Sequence, residues 1–331
     1  MIRSYLGTLV DRFGRGWNQF WFSPSDPLTV SLLRLLTGLL ATWTLVTYTW
    51  DLDRLLGAQG FIPLADLKTL VDQRDLQSGL SGAYRFSYFD YLTTPGQLRA
   101  AHAVSIAVVA AYTLGLFSRV TSVAAWFIML SYFHRTAIVT SQFEAVLVFL
   151  MLYLCLGPSG AYLSIDRWLK RRRSPAAATL APLSSAATIS LRLIQVHTCA
   201  MIVMMVLAKM YGDVWWNGTA MWWMMLNSPE RIVDLRSWGS HFLGKYVLNA
   251  WTHAQVLLEL LFPVLVWQRW ARPLMIVWAQ TMWSLLPLVS GLVSFSLAMQ
   301  IAMIAFVRPD ELRMLWAGFT ARHPDAEPAA S

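Results

Sequence analysis

Charged side chains are scarce in this sequence. Asp, Glu, Lys and Arg make up 13% of its 331 residues, whereas a soluble domain carries about 25%. Hydrophobic residues make up 56% of the chain. This balance excludes an ordinary soluble domain and predicts an integral membrane protein.

Cysteine and the motifs of metal or nucleotide chemistry are also scarce. The only two cysteines, Cys155 and Cys199, lie inside apolar runs, so we predict neither a disulfide framework nor a thiolate metal site. The sequence contains no His-Glu-x-x-His motif and no Gly-rich phosphate loop. Four histidines have no ligand-type spacing: His102, His134, His241 and His323. We therefore assign no metal site.

The sequence instead has long apolar runs, several of which reach the roughly 20 residues that cross a bilayer as a helix. The first of them is too long for the apolar region of a signal peptide, so it is expected to be an uncleaved anchor. We predict an all-α polytopic membrane protein with about eight transmembrane helices. The predicted spans are about 28–50, 99–117, 120–138, 141–158, 187–209, 250–268, 273–290 and 292–307.

The net charge of +8 gathers in short segments between the apolar runs. With the N-terminus inside, the inner segments hold 14 basic and 7 acidic residues, and the outer side holds 9 of each. This is the positive-inside pattern of a multi-pass protein, and it differs from the one-sided basic patch that binds nucleic acid. We predict a cell (inner) membrane protein with both termini in the cytoplasm. Its partner is the lipid bilayer, and no nucleic acid is expected.

The predicted organisation has three parts. A cytoplasmic N-terminal segment, 1–27, precedes the transmembrane domain, 28–318, and a disordered cytoplasmic tail, 319–331, follows it. An inner linker, 167–186, begins with a basic segment, 168–173, that suits anionic lipid heads, and continues as an Ala/Ser/Pro-rich stretch.

Two long outer segments, 51–98 and 210–249, carry amphipathic pieces such as 64–71 and many aromatic residues. Aromatic side chains at this level are typical of an interfacial belt or of an extracytoplasmic cap that lies on the membrane. The aromatic residues concerned are Tyr84, Phe86, Tyr88, Phe89, Tyr91, Trp215, Trp216, Trp222, Trp223 and Trp238.

Five full charges fall within the predicted spans: Arg34, Glu144, Arg192, Lys209 and Glu259. Each costs about 2.5–3.5 kcal/mol to insert, so each is expected to face a protein interior or a wet cavity. Positions along the spans place Glu144 level with Lys209 near the outer surface. Glu259 is placed deeper, within reach of Arg34 or Arg192. We predict these two pairings, either as structural ion pairs between helices or as a proton-handling or substrate site.

Lys209 is the most informative of these charges because it ends a long apolar run. Two tryptophans, Trp215 and Trp216, and the turn signal Asn217-Gly218 follow it. Its ammonium either snorkels to water or lies in a pocket dry enough to make it a base. In the second case a ligand pocket would be shaped by Trp215, Trp216, Asn217 and Gly218.

Two histidines accompany Lys209 as candidate catalytic residues. His197 lies twelve residues earlier, about 18 Å along a helix, so it cannot touch Lys209 on the same helix and is expected to be a buried, hydrogen-bonded side chain. His253 begins the sixth span at the outer side and can approach Lys209 across helices.

The order and spacing of several short pieces resemble the horizontally transferred transmembrane domain family, whose best-known members are the vitamin K-dependent gamma-carboxylases. The resemblance extends over about residues 20–315. The matching pieces are Asp26-Pro27, Leu33-Arg-Leu-Leu-Thr-Gly38, residues 157–166, Leu193-Ile-Gln-Val-His197 leading to Lys209, residues 215–220, Glu259-Leu-Leu-Phe-Pro263, and Phe295 with Met299.

The resemblance implies a helical membrane core with an outward-facing, capped cavity. It further implies that Lys209 is the base for a reduced quinone of the vitamin K type. The chain departs from the carboxylase pattern in lacking histidines near 140–144 and 279–283, and in lacking the large soluble C-terminal domain. Three hypotheses therefore stay open: an enzyme acting on a quinone-like or lipid-like ligand, a non-catalytic module that binds a lipid, peptide or partner protein, and a small-solute transporter supported by Glu259 with Arg34 and Arg192.

Overall fold

The computed structural model of the chain describes residues 2–78, 86–137, 141–173 and 180–314, and these are helical apart from their connections. An isolated antiparallel bridge joins Ser25 to Ser184. The fourteen α-helices of the described ranges are α1 Ile2–Phe22, α2 Leu28–Tyr48, α3 Leu52–Leu56, α4 Leu64–Ser78, α5 Pro95–Leu114, α6 Ser118–Arg135, α7 Gln142–Leu156, α8 Ile165–Arg173, α9 Ser185–Met210, α10 Asp213–Trp216, α11 Ala220–Asn227, α12 Phe242–Leu265, α13 Arg272–Ser290 and α14 Val293–Ile304.

The predicted all-α class is confirmed, and a helix stands at each of the eight predicted spans. Three of these helices, α2, α9 and α13, are long and apolar enough to cross a membrane, and α7 and α14 are shorter apolar helices. Helix α12 begins at Phe242, eight residues before the predicted span. The apolar run marks only part of this helix, because its first two turns also carry polar residues such as Lys245 and Asn249.

The chain forms two compact units, one made of residues 1–33 and 181–331 and the other of residues 34–180, so the division falls inside α2. In the second unit α5 packs against α6, and α6 packs against α7. In the first unit α9 packs against α1 and α12, and α13 packs against α14. The lysine of interest ends α9, so the first unit contains the candidate site.

Local sequence signals explain where several helices begin. Thr94 and Gln97 form a capping box at the start of α5, and Ser141 and Glu144 form another at the start of α7. Each box satisfies two backbone N–H groups that the first helical turn leaves without partners. Glu144 is therefore used at a helix end.

Asp166, at the start of α8, fastens the connection between α5 and α6. Its carboxylate accepts the backbone N–H groups of Phe117 at 2.9 Å and Ser118 at 2.8 Å, and the Ser118 hydroxyl at 2.7 Å. Phe117 has a φ of 48°, a left-handed conformation that costs a bulky residue energy. Burial raises the pKa of Asp166, but these hydrogen bonds and nearby Lys170 outweigh burial and lower the pKa of the carboxyl overall.

Close helix packing in the second unit depends on Gly38 of α2. A Cβ atom at this position would lie 2.6 Å from the Thr113 hydroxyl of α5. That hydroxyl also lies 3.0 Å from the Thr42 hydroxyl, one turn further along α2. A glycine is therefore required where the two backbones approach.

Helix α1 was not predicted, although its residues carry an amphipathic pattern. Val10, Phe13 and Trp17 recur at a spacing of three and four and are more than half exposed. The Phe13 and Trp17 rings stack with centroids 6.1 Å apart. An exposed aromatic face of this kind is typical of a helix that lies in a membrane interface.

Some predictions fall partly or wholly outside the described residues. They concern Tyr84 of the aromatic cluster, Thr140 in the segment before α7, residues 174–179 of the inner linker, and the tail 319–331. The amphipathic piece at 64–71 lies in α4, and the basic segment 168–173 lies in α8.

Candidate functional site

The candidate site lies where the end of α9 meets α12. The Lys209 ammonium donates to Oε1 of Glu259, and the two side chains are 15% and 1% exposed. Gln255, one turn earlier on α12, donates from Nε2 to the same carboxylate oxygen at 2.7 Å. Gln255 and Glu259 are four residues apart on one face of α12, so the Glu259 carboxylate accepts from a neighbour on its own helix and from Lys209 of α9.

Two polar atoms of this cluster have no hydrogen-bond partner among the described residues. They are Oε2 of Glu259 and Oε1 of Gln255, both of them acceptors and both buried. A buried acceptor without a donor costs roughly 1–3 kcal/mol. The cluster is therefore suited to a group that brings an O–H or N–H donor.

Both predicted ion pairs are replaced by other contacts. Lys209 pairs with Glu259, whereas Glu144 accepts from the Ser141 backbone N–H at 2.7 Å. The physical reason is the early start of α12. Glu259 lies 17 residues after the start of this helix, about 26 Å at 1.5 Å per residue. This first part of α12 extends beyond the end of α9, so Glu259, and not the start of α12, lies level with Lys209.

The two arginines within the predicted spans also have their own partners. Arg34 is fully buried and donates to the backbone carbonyls of Tyr112 and Leu163. Arg192 donates from Nε to the Phe20 carbonyl at 3.2 Å and from Nη1 to the Gln195 side chain at 2.9 Å. Glu259, which the transporter hypothesis groups with these arginines, pairs with Lys209.

The four residues predicted to shape the pocket form the turn after α9. The Trp215 ring lies under the Lys209 ammonium, with 4.6 Å between Nζ and the ring centroid. Trp216 is 62% exposed and donates from its indole N–H to the Met210 carbonyl at 2.9 Å, which caps α9. Asn217 accepts the Thr219 backbone N–H at 3.0 Å. Of the predicted pocket residues, Trp215 is thus the one in contact with the lysine.

Gly218 and His253 fasten this turn to α12. Gly218 has a φ of 75° and is buried against Asn249 and His253. The His253 ring nitrogens lie 2.9 Å from the Asn249 carbonyl and 3.3 Å from the Trp216 carbonyl. His253 therefore positions the turn that carries Trp215.

His197 is half-buried on α9, more than three turns before Lys209. The structure thus agrees with the expectation that His197 lies away from the lysine on this helix. Among the residues of ranges 2–78, 86–137, 141–173 and 180–314, no group of three His, Cys, Asp or Glu side chains could hold a metal ion.

A histidine without a predicted role lies in the second unit. His102 is 4% exposed, and its ring nitrogens lie 2.9 Å from the Thr49 hydroxyl and 2.6 Å from the Tyr132 hydroxyl. It borders a cavity of about 560 Å³ together with Asp53 and Arg99. Spacing along the sequence gave no signal for this cluster, because its members come from three separate segments.

Comparison of the chain with protein-family models, curated proteins and solved structures finds no match. The function must therefore be argued from the residues of the site. They provide a buried carboxylate with one oxygen that has no donor among the described residues, an ammonium beside it and an aromatic ring under the ammonium. Such a group can take a proton from a bound molecule and can stabilise the anion that results.

Proposed function

We propose that this chain is a multi-pass membrane protein that binds a quinol-like or other lipid-like ligand at the Lys209–Glu259 pair and takes a proton from it. One observation carries the proposal: Glu259 is buried, with one oxygen held by an ammonium and the other without a donor among the described residues. In this proposal the eight apolar helices cross the membrane, both termini lie in the cytoplasm, and the segments after α9 form the outer cap.

The proton moves from a ligand hydroxyl to the pair by either of two routes. In the first, Glu259 takes the proton directly at Oε2. In the second, Glu259 takes the proton of Lys209, and the neutral amine then acts as the base. Both routes end with a neutral Glu259 carboxyl, a Lys209 ammonium and a ligand oxyanion, so charge and protons balance. The ammonium then faces the new anion in a largely dry site, where the attraction is strong.

Two further observations support a lipid-like ligand. The half-buried Trp215 ring offers a flat apolar face beside the ammonium, which suits an aromatic head group. The resemblance to the horizontally transferred transmembrane domain family also assigns the role of base to Lys209. The carboxylation reaction of the gamma-carboxylases forms no part of this proposal, since the chain lacks the two histidines of their pattern.

The second candidate is a non-catalytic membrane module that binds a lipid, peptide or partner protein. The observation that favours it is that the same ion pair ties α9 to α12, which is a purely structural use of two charges. The two candidates differ in one measurable property. Only the first requires a bound ligand to lose its proton at the pair.

A reduced naphthoquinone such as menadiol tests this difference. The purified full chain in detergent micelles is mixed with menadiol without oxygen, and the absorption of the naphtholate anion is recorded. We expect wild type to show bound naphtholate and both Lys209→Met and Glu259→Gln to lose it. Matched controls are Lys245→Met, an exposed lysine of α12, and Glu230→Gln, an exposed loop carboxylate, and both should behave as wild type.

The outcomes separate the candidates. Naphtholate that persists in Glu259→Gln contradicts the proposed chemistry, because both routes leave the proton on Glu259. Naphtholate that persists in Lys209→Met contradicts the role of the ammonium. Menadiol that binds to wild type without ionising supports the non-catalytic module. If menadiol does not bind at all, the quinol class is wrong, and lipid extracted from wild type and from Lys209→Met then shows whether the pair binds a different amphiphile.

A further inference from the structure

A cavity in the first unit brings three arginines together near the end of α9 opposite to Lys209. It has a volume of about 210 Å³, several times the roughly 30 Å³ that a water molecule occupies in the liquid. Arg192 of α9, Arg272 at the start of α13 and Arg308 after α14 line it. Arg192 lies 17 residues before Lys209, about 26 Å along the helix, so this cavity is distinct from the candidate site above.

No carboxylate lines this cavity, and within the described parts of the chain none forms an ion pair with its three guanidinium groups. Glu311, three residues after Arg308, is a carboxylate beside the cavity. It accepts the Arg308 backbone N–H at 3.0 Å. Even if Glu311 is counted, the rim keeps an excess of positive charge. Like charges that share a partly buried space repel one another, and a bound anion would remove this cost.

The arginine side chains are held so that some donors stay free for a ligand. Arg192 uses Nε on the Phe20 carbonyl and Nη1 on Gln195, and its guanidinium also lies 4.3 Å from the Phe20 ring centroid. Gln195 is in turn fixed by a 2.6 Å hydrogen bond to the Ala305 carbonyl. Arg272 uses Nε on the Val266 carbonyl at 3.2 Å. The Nη2 group of Arg192 and both Nη groups of Arg272 have no such bond in the described structure.

The rest of the lining indicates the kind of anion. Ser25 and Thr188 both line the cavity, their hydroxyl oxygens lie 2.9 Å apart, and Thr188 also contacts the Ser23 carbonyl. The other lining residues are mainly apolar: Leu191, Val266, Trp267, Phe306, Val307 and Pro309. Several guanidinium forks suit an anion with three or four oxygens, and apolar walls suit an ester of an amphiphile.

We propose that this cavity binds a phosphate group, with Arg192, Arg272 and Arg308 as its charged donors. The group is either the phosphate of an anionic lipid head or free phosphate. Because the cavity is separate from the Lys209–Glu259 pair, the proposal stands independently of the proton chemistry above.

The test compares two lipids with the same tails. The full chain in maltoside micelles is given either phosphatidylglycerol or diacylglycerol, and bound lipid is counted by native mass spectrometry. We expect wild type to retain phosphatidylglycerol and not diacylglycerol. Arg308→Gln, at an exposed position, and Arg272→Gln should each lower its occupancy about tenfold, the effect of losing one charge-assisted hydrogen bond. Arg269→Gln, an exposed arginine outside the cavity, is the matched control.

A parallel arm measures radiolabelled inorganic phosphate by equilibrium dialysis in the same micelles. Retention of phosphatidylglycerol without phosphate binding assigns the site to a lipid head, and binding of phosphate that Arg308→Gln abolishes assigns it to the free anion. The proposal is overturned if neither probe binds. It is also overturned if Arg269→Gln weakens binding as much as Arg308→Gln, because the attraction would then be a general property of the basic surface.

Discussion

Removal of the Lys209 ammonium should destabilise the first unit strongly, because its partner carboxylate stays behind. Glu259 is 1% exposed, and its remaining partner would be Gln255, a neutral donor. Loss of one member of a buried ion pair costs about 3–5 kcal/mol. Since Gln255 still satisfies one oxygen, we expect Lys209→Met to lower the free energy of unfolding by about 3 kcal/mol.

The double variant Lys209→Met with Glu259→Leu should recover most of this loss. A buried ion pair replaced by apolar side chains of similar size is often neutral or stabilising, so the coupling energy in the double-mutant cycle should reach at least ~2 kcal/mol. The assay is reversible unfolding by SDS in mixed micelles, followed by circular dichroism, for wild type, both single variants and the double variant. Lys245→Met reports the cost of losing an exposed lysine.

Two results would refute this reasoning. If Lys209→Met costs no more than Lys245→Met, the ammonium is not held by a buried carboxylate. If the costs of the two single changes simply add in the double variant, the side chains do not interact. If the double variant instead folds well but no longer ionises menadiol, stability and chemistry are separated at the same two residues.

Three further predictions follow from other contacts. Gly38→Val should lower the free energy of unfolding by about 1–3 kcal/mol in the same SDS titration, because the valine side chain would overlap Thr113. The control is an Ala→Val substitution at a helical position that has no such neighbour. Trp215→Leu should cost up to about 2 kcal/mol, since it removes the aromatic face under the paired ammonium; an equal cost in a Lys209→Met background would contradict this. Because the pKa of Asp166 is lowered in the folded chain, its contribution to stability should be complete above about pH 4 and should disappear as pH falls further. Asp166→Asn should remove this pH dependence, which an unchanged acid unfolding profile would disprove.

The helices were predictable because apolar runs and capping residues are local signals. Ser141 and Glu144 mark the start of α7 by spacing alone, and Arg272-Pro273 marks the start of α13. Helix α1 also carried a signal, the row Val10, Phe13 and Trp17, which is visible once the N-terminal segment is examined for a helical period.

The partners of the charges within the predicted spans were not predictable, because they depend on how far one helix extends past another. The apolar run beginning at 250 places Glu259 halfway along a span. The helix that begins at Phe242 includes two further turns, and Lys209 meets it more than halfway along its length. The predicted ion pair of Glu144 with Lys209 rests on the same comparison of depths, although the position of Glu144 three residues after Ser141 already indicates a helix cap. A capping signal should therefore outweigh an estimate of depth when the role of a charge is assigned.

The presence of a buried Lys–Glu pair at this site itself favours a functional role. Stability does not require the pair, because apolar residues of similar volume would join α9 to α12 at no net cost. Here Oε2 of Glu259 and Oε1 of Gln255 are buried without a donor among the described residues, while the Trp215 ring lies against the ammonium. An arrangement that keeps a charge pair and also leaves acceptors open is the one expected where a donor-bearing ligand completes the network. Under the proposed function, the Lys209 charge acts together with Glu259 as one half of a proton-accepting pair.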